Sequence, residues 1–109
     1  MKKPAVYIMA NKRNGTLYTG VTSNLFQRIY QHKNQIFKGF TDRYKCKILV
    51  YYEVFYVMEH AILREKQLKG GSRKQKLKLI ESKNPLWHDF MSLFFDEFGL
   101  LRFARNDDF

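Results

Sequence analysis

The chain contains few residues that would cross-link or interrupt a fold: one cysteine and two prolines among 109 residues. With Cys46 alone, an internal disulfide is excluded and a cysteine-based zinc site is not expected. A reducing cytoplasm is therefore the expected location. No apolar run reaches the ~18 residues of a membrane span. The run from Ala5 to Ala10 is also too short for a signal peptide, so we expect neither feature.

Acidic residues are scarce as well. Ten of them stand against 20 lysines and arginines, which gives a formal net charge of +10. Residues 1–83 carry 18 basic and five acidic side chains, whereas residues 84–109 carry two and five. This imbalance predicts a polyanionic partner, most simply DNA, with RNA as an alternative, bound with strong salt dependence. The other interpretation is a surface that is merely soluble or nonspecifically adhesive.

Apolar and aromatic side chains are plentiful, at 45% and 17% of the chain. They suffice for one buried core, so a disordered chain is excluded. We expect one domain over residues 1–90 and a C-terminal tail over residues 91–109. The tail mixes acidic and aromatic residues and could pack on the domain, form a homodimer, be disordered, or bind a partner in a repair complex.

Two short strands are predicted near the N-terminus. Residues 4–10 and 16–21 are rich in strand formers, and the turn residues 11–15 between them indicate a hairpin with a five-residue loop. Tyr7 and Tyr18 would then lie at nearly the same height on neighbouring strands. Gly20, at a strand end, is typical of a bulge or of a close approach, for example by a nucleic-acid backbone.

A helix is predicted after three consecutive cap candidates at residues 22–24. Its apolar stripe runs to Phe37, and Arg28 and His32, four residues apart, lie on one border of that stripe. A border position faces a cleft rather than the core. A basic loop is expected over residues 38–47.

One more strand and two more helices follow. Residues 46–55 are dense in β-branched and aromatic residues and predict a strand, expected to be the central or best-covered strand of the sheet. Over residues 57–69 the apolar side chains recur at helical spacing, which predicts a helix. Gly70-Gly71 ends that helix. Ser72 caps the next helix, residues 73–82, with lysines facing outward, and Asn84-Pro85 starts a short final element.

Glu65 is the clearest local anomaly. It follows Ala61 by four residues and precedes Leu68 by three, so it lies on the apolar side of its helix. A carboxylate there needs a cation, a hydrogen-bond donor or a metal ion as its partner. A structural ion pair with Arg28, Arg64 or a lysine is the alternative to a metal site.

Four further side chains suit phosphate chemistry. The guanidinium of Arg28 can bind a phosphate through two hydrogen bonds, and His32 can donate to a phosphate oxygen or orient water. The hydroxyls of Tyr7 and Tyr18 can bond the water or the phosphate. A tyrosine base would need a lowered pKa, which a nearby arginine and a metal would favour. The ordinary alternatives are a surface arginine, a packing histidine and two strand tyrosines.

Basic side chains continue beyond Glu65 along the last two helices. They predict a surface that tracks phosphates, although a solvated helix face is as good an interpretation. The predicted nucleic-acid contacts are Lys66, Lys69, Arg73, Lys74, Lys76 and Lys78.

In order and spacing, these residues resemble the GIY-YIG nuclease superfamily over roughly residues 4–90. The matching segments are Val6-Tyr7-Ile8, Tyr18-Thr19-Gly20, Arg28 with His32, Ala61–Lys69 and Asn84-Pro85-x-Trp87. They correspond to the two signature triplets, the Arg-x-x-x-His motif, the helix with the metal-binding glutamate and the closing asparagine motif. The first triplet lacks its glycine, and the second has threonine for isoleucine. The chain is most similar to small stand-alone bacterial members.

The resemblance implies an α/β (α+β) fold in which helices flank a small three-stranded antiparallel sheet. It also implies a metal-dependent endonuclease that hydrolyses DNA phosphodiester bonds, with one Mg²⁺ or Mn²⁺ held by Glu65. A structure-selective role in DNA repair or recombination is one form of that activity. A nucleic-acid-binding module with little or no catalysis is the alternative.

The same resemblance implies roles for the other residues of the site. Tyr7 or a metal hydroxide would supply the base, and Arg28 would stabilise the developing charge. Tyr18 and His32 would position water and phosphate, and Asn84 would support the site.

Overall fold

The computed structural model describes residues 3–33 and 46–93. Its sheet has three antiparallel strands in the order β2-β1-β3. These strands are β1 (Ala5–Ala10), β2 (Leu17–Thr22) and β3 (Ile48–Val54). Helices flank the sheet, so the predicted α+β fold with a small antiparallel sheet is confirmed.

Four helices are described, and the first three begin within a residue of their predicted starts. They are α1 (Leu25–Lys33), α2 (Met58–Gly70), α3 (Arg73–Lys83) and a short 3₁₀ helix (Phe90–Leu93). The predicted continuation of the first helix to Phe37 and residues 38–45 of the predicted loop lie outside the described residues. Within the described ranges, none of the helices has the length and apolar character needed to cross a membrane.

Strand β1, not β3, is central, so the prediction for residues 46–55 is wrong on this point. All six residues of β1 are buried. A strand paired on both edges and covered on both faces needs apolar side chains throughout, which β1 has. The last residues of β3, from Tyr52 to Val54, are only partly buried or exposed, as suits an edge strand that carries the polar Glu53.

Side chains alternate across β1 and divide the core into two layers. Tyr7 and Met9 pack with Leu25 and Ile29 of α1 on one face. On the other face, one cluster joins Val6 to Ala61 and Leu68 of α2, and a second joins Ile8 to Ile80 of α3. The sheet therefore separates α1 from α2 and α3, and a catalytic set drawn from both sides has to meet at an edge.

The predicted helix caps are present. The Asn24 side chain accepts a hydrogen bond from the Gln27 amide at 3.2 Å and so caps α1. Ser72 forms a capping box with Gln75 at the start of α3, and both bonds of that box are made. At the end of α2, the Gly71 amide donates to the Leu68 carbonyl at 3.2 Å. Local sequence thus determines where the helices begin and end.

The segment after α3 folds back onto the sheet. Phe90 makes an edge-on contact with Tyr52, with ring centroids 5.8 Å apart, and Met91 is buried in the same cluster as Tyr7. The predicted boundary at residue 90 is not tested by this packing and stays a prediction. Residues 94–109, the greater part of the predicted tail, lie outside the described residues, and the predicted roles of the tail stay predictions too.

Asn84 joins this segment to the sheet. Its side chain is 2% exposed, and its amide Nδ2 donates to the Val50 carbonyl at 3.1 Å and to the His88 carbonyl at 2.8 Å. Its Oδ1 accepts from the His88 amide at 2.9 Å. One carboxamide therefore satisfies three buried or part-buried backbone groups.

We predict that Asn84→Ala lowers the free energy of unfolding by about 2–3 kcal/mol, because three backbone groups lose their partner in a buried place. Urea denaturation followed by circular dichroism measures this cost. Ser82→Ala is the control, since it removes one exposed hydroxyl bond to the Leu79 carbonyl and should change stability by at most about 0.5 kcal/mol. Equal effects of the two substitutions would contradict the prediction.

Candidate active site

The phenol of Tyr7 lies across strand β2 directly above Gly20. The two residues are paired in the β1–β2 ladder, and a Cβ built on Gly20 would stand 2.5 Å from the Tyr7 Oη and 2.6 Å from its Cζ. Any side chain at position 20 would collide with the ring. Gly20 is thus a close-approach site, as predicted, but the group that approaches it in this structure is the Tyr7 ring.

Tyr18 neighbours Tyr7 diagonally on the same face of the sheet. Tyr18 pairs with Met9, two residues along from the Tyr7–Gly20 pair, so the prediction that the two tyrosines share one height is wrong. The hairpin loop is one residue longer than predicted, from Asn11 to Thr16. The rings still meet, with centroids 6.3 Å apart, and the two hydroxyls are hydrogen bonded.

The environment raises the pKa of Tyr7 well above its ordinary value. Burial is the largest cause, and Tyr18 and the carboxylate of Glu65 add to it. Arg28 lowers the pKa, as predicted, but is outweighed. In the protein without a bound metal ion or substrate, Tyr7 therefore keeps its proton at neutral pH and acts as a hydrogen-bond donor. The lowered pKa that a tyrosine base would need is not found here.

Arg28 and Glu65 both lie close enough to the Tyr7 hydroxyl to act on it electrostatically. Arg28 is half-buried in α1, in the turn after the Asn24 cap, as expected for a border position. The structure thus gathers Tyr7, Tyr18, Arg28 and Glu65 from four separate elements. His32 follows Arg28 by one turn of α1, but its side chain lies outside the described part of the chain, so its role stays a prediction.

The predicted apolar setting of Glu65 is confirmed. Ala61 and Leu68 are buried on either side of it, and the Glu65 side chain is 15% exposed. Its Oε2 lies 3.0 Å from the Nζ of Lys69, one turn further along α2. The i,i+4 spacing of glutamate and lysine is a helix signal that sequence reasoning could have used to find this partner.

Arg64, an alternative partner for Glu65, points to the other side of α2. Its guanidinium donates to both carboxylate oxygens of Glu53 at 3.0–3.2 Å. The Tyr51 hydroxyl also donates to Glu53. Burial raises the pKa of Glu53, but the bonds from Arg64 and Tyr51 outweigh it and hold that pKa below its usual value. This cluster was missed, although Tyr51 and Glu53 share one strand face by their spacing.

The donor set fits a hard divalent cation held by one protein carboxylate. A mostly buried carboxylate that already binds the Lys69 ammonium is a position where positive charge is favoured. Mg²⁺ keeps several waters and needs only one or two carboxylates, so the scarcity of acids is compatible with it. Within residues 3–33 and 46–93, no cluster of three acidic, histidine or cysteine side chains forms a fuller metal cage. Glu65 is the residue that would hold such an ion.

The predicted nucleic-acid contacts differ in how they are placed. Arg73 donates to the carbonyls of Asn14 and Gly15 at 2.8 and 2.7 Å, so it joins α3 to the hairpin loop. Lys76 was expected to face outward but is half-buried beside the cleft between α2 and α3. The exposed members are Lys66, Lys69, Arg73, Lys74 and Lys78.

Asn84, predicted to support the site, lies with β3 and His88 instead. Its hydrogen bonds go to Val50, His88 and the end of α3, and none in the described structure reaches Tyr7 or Glu65. Any support it gives to the site acts through the position of the sheet, and that role stays a prediction.

The fold is a three-stranded antiparallel sheet with two tyrosines, an arginine and a helical glutamate at one edge. The sequence matches the GIY-YIG catalytic domain over residues 3–78, and the chain belongs to the GIY-YIG family. Its relatives are UPF0213 proteins, which are stand-alone GIY-YIG proteins.

Three of these relatives illustrate the similarity. The chain is 41% identical to a UPF0213 protein of Staphylococcus haemolyticus over 83 residues, which are 76% of this chain and 100% of the relative. It is 42% identical over 79 residues to one of Clostridium perfringens, covering 72% and 84%. The solution NMR structure of a UPF0213 protein of Bacillus halodurans has a TM-score of 0.52 at 27% identity and covers 84% of this chain and 96% of that one.

We predict that Gly20→Ala lowers the free energy of unfolding by about 1–3 kcal/mol, because the added methyl displaces the Tyr7 ring. In a Tyr7→Ala background the same substitution should cost at least about 1 kcal/mol less. Urea denaturation of the four proteins measures this coupling. Gly70→Ala is the matched control, since nothing lies within 4 Å of a Cβ there, and a helical alanine should not destabilise. Additive costs at positions 7 and 20 would contradict the steric argument.

Proposed function

We propose that this protein is a divalent-metal-dependent endonuclease that hydrolyses DNA phosphodiester bonds. The single observation that supports this most is that Tyr18, Arg28 and Glu65 all lie near enough to the Tyr7 hydroxyl to influence its pKa. This set holds a guanidinium, two phenols and a mostly buried carboxylate at one sheet edge. These groups match the needs of a reaction in which negative charge develops on a phosphate.

Arg28 and Tyr7 are the groups suited to the phosphate. The guanidinium of Arg28 is always protonated and can bind two phosphate oxygens at once. Tyr7 keeps its proton because its pKa is raised, so it can donate a hydrogen bond to a phosphate oxygen or hold the attacking water. Tyr18, hydrogen bonded to Tyr7, positions that hydroxyl. In this reaction water bonds to phosphorus as one P–O ester bond breaks.

Glu65 is the residue we propose to hold the metal. A bound Mg²⁺ or Mn²⁺ would polarise a phosphoryl oxygen and lower the pKa of a coordinated water. Because the Tyr7 phenol stays protonated in the protein alone, we favour a donor role for it over a base role. His32 is proposed to position water or phosphate from the turn of α1 that follows Arg28.

The substrate class rests on charge. A formal net charge of +10 favours a polyanion, and the exposed Lys66, Lys74 and Lys78 offer contacts to phosphates on either side of the cleaved bond. DNA is our proposal, with RNA as the alternative. Structure-selective cleavage of branched DNA in repair or recombination is a narrower form of it. A cytoplasmic location follows from the single cysteine and stays a prediction.

One observation favours a second candidate, a nucleic-acid-binding module with little or no catalysis. Glu65 already has a cationic partner in Lys69, as a purely structural ion pair would. In that case the basic surface would bind nucleic acid in a salt-dependent manner, and no metal would be needed.

We predict Mg²⁺-dependent cleavage of supercoiled, branched or single-stranded DNA by the full chain. Glu65→Gln and Arg28→Ala should each lower the rate by about 100-fold or more, because each removes a charge acting at the reacting phosphate. The measurement is gel analysis of nicked and linear products over time, with and without Mg²⁺. Binding by Glu65→Gln, followed by fluorescence anisotropy, should persist.

Two matched variants control for charge. Glu59→Gln changes an exposed glutamate in the first turn of α2, and Arg13→Ala removes an exposed arginine from the hairpin loop. Both should retain activity within about twofold, since exposed charges act weakly over distance. Salt-sensitive binding without cleavage in any lane would overturn the enzyme proposal and support the binding module. Cleavage that survives Glu65→Gln would overturn the role of that carboxylate.

A further inference from the structure

The ion pair between Glu65 and Lys69 is uneven in its burial. The carboxylate side chain is 15% exposed, whereas the lysine side chain is 53% exposed, and Oε2 and Nζ are 3.0 Å apart. The sequence predicted Lys69 as a contact to nucleic acid, yet in the structure its ammonium binds the carboxylate of the proposed site. The pair therefore joins a mostly buried carboxylate to an ammonium that can rotate into the solvent.

The local structure explains that difference. Glu65 lies between Ala61 and Leu68, which pack on Val6 of the central strand, so its carboxylate is mostly shielded from water beside that cluster. Lys69 is near the end of α2, one residue before Gly70, and its flexible stem allows the ammonium to reach solvent at little cost. Rotation of the lysine alone would free the carboxylate oxygen.

We propose that the Lys69 ammonium is a built-in placeholder for the divalent cation: it neutralises Glu65 in the metal-free protein and leaves when the metal binds. This inference rests on the proposed role of Glu65 as the metal ligand. A partly buried carboxylate without a cation would be destabilising, and Lys69 removes that cost whenever the metal is absent. The placeholder also competes with the metal and so weakens metal binding.

The two cations next to Glu65 in the sequence of α2 do not pair with it in the same way. The guanidinium of Arg64 is held by both oxygens of Glu53 on the other side of α2. Lys66 is exposed and directly follows Glu65, about 100° further round the helix, so it turns away from that carboxylate. Lys66 is therefore a matched control: it has the same charge, lies on the same helix and is as close in sequence.

The test is direct Mn²⁺ binding without nucleic acid. The electron paramagnetic resonance signal of free Mn²⁺ is titrated with the full chain at constant ionic strength. Lys69→Gln and Lys69→Met should lower the dissociation constant by about threefold to tenfold, because the competing cation is gone. Lys66→Gln, which alters only the overall electrostatic potential of the protein, should change the dissociation constant by less than about twofold. Circular dichroism checks that each variant is folded.

The outcomes separate this inference from the function on which it rests. Mn²⁺ binding that Glu65→Gln abolishes and both Lys69 variants tighten supports the placeholder. Binding that requires Glu65 but is unchanged or weakened in the Lys69 variants overturns the placeholder and leaves the metal ligand in place. Equal tightening by Lys66→Gln overturns it as well, since the effect would then be one of net charge. Binding that does not require Glu65 overturns both assignments.

Discussion

The packing of the Tyr7 ring over Gly20 is the constraint on which the candidate site depends. Tyr7 is in the middle of the central strand, where every neighbour is buried, so its ring has little freedom. Only the missing side chain at position 20 lets that ring extend over the edge strand. The hydroxyl thereby arrives where groups from α1 and α2, helices on opposite faces of the sheet, can both act on it.

Burial gives this hydroxyl its chemical character. A buried phenol beside a second phenol and a carboxylate holds its proton more strongly. The nearby arginine lowers the pKa but does not offset these effects. Without a bound ion or substrate, the candidate active site is therefore rich in hydrogen-bond donors. Arg28 and Tyr7 can both hydrogen bond to a phosphate oxygen, while Glu65 supplies the negative charge that a cation requires.

Helix α2 carries two ion pairs that differ in kind. On one side Arg64 is bonded to Glu53, which the Tyr51 hydroxyl also contacts, and all three groups have satisfied partners within the fold. On the other side Glu65 forms an ion pair with an exposed lysine, Lys69, one turn further along the helix. The first pair has the fixed geometry of a structural contact. The second has one member that is mostly exposed to solvent, as the proposed cation site would require.

The sequence by itself determined the elements, because strand patterning, turn residues and caps act over a few residues, as at Asn24 and Ser72. It also determined which side chains could carry the chemistry, since Glu65 stands out on an apolar helix face. It could not decide that β1 is central, that Tyr7 lies diagonal to Tyr18, or that Arg73 binds the hairpin loop. Those depend on packing between segments far apart in the chain, and so does the raised pKa of Tyr7, which comes mainly from burial in the folded core.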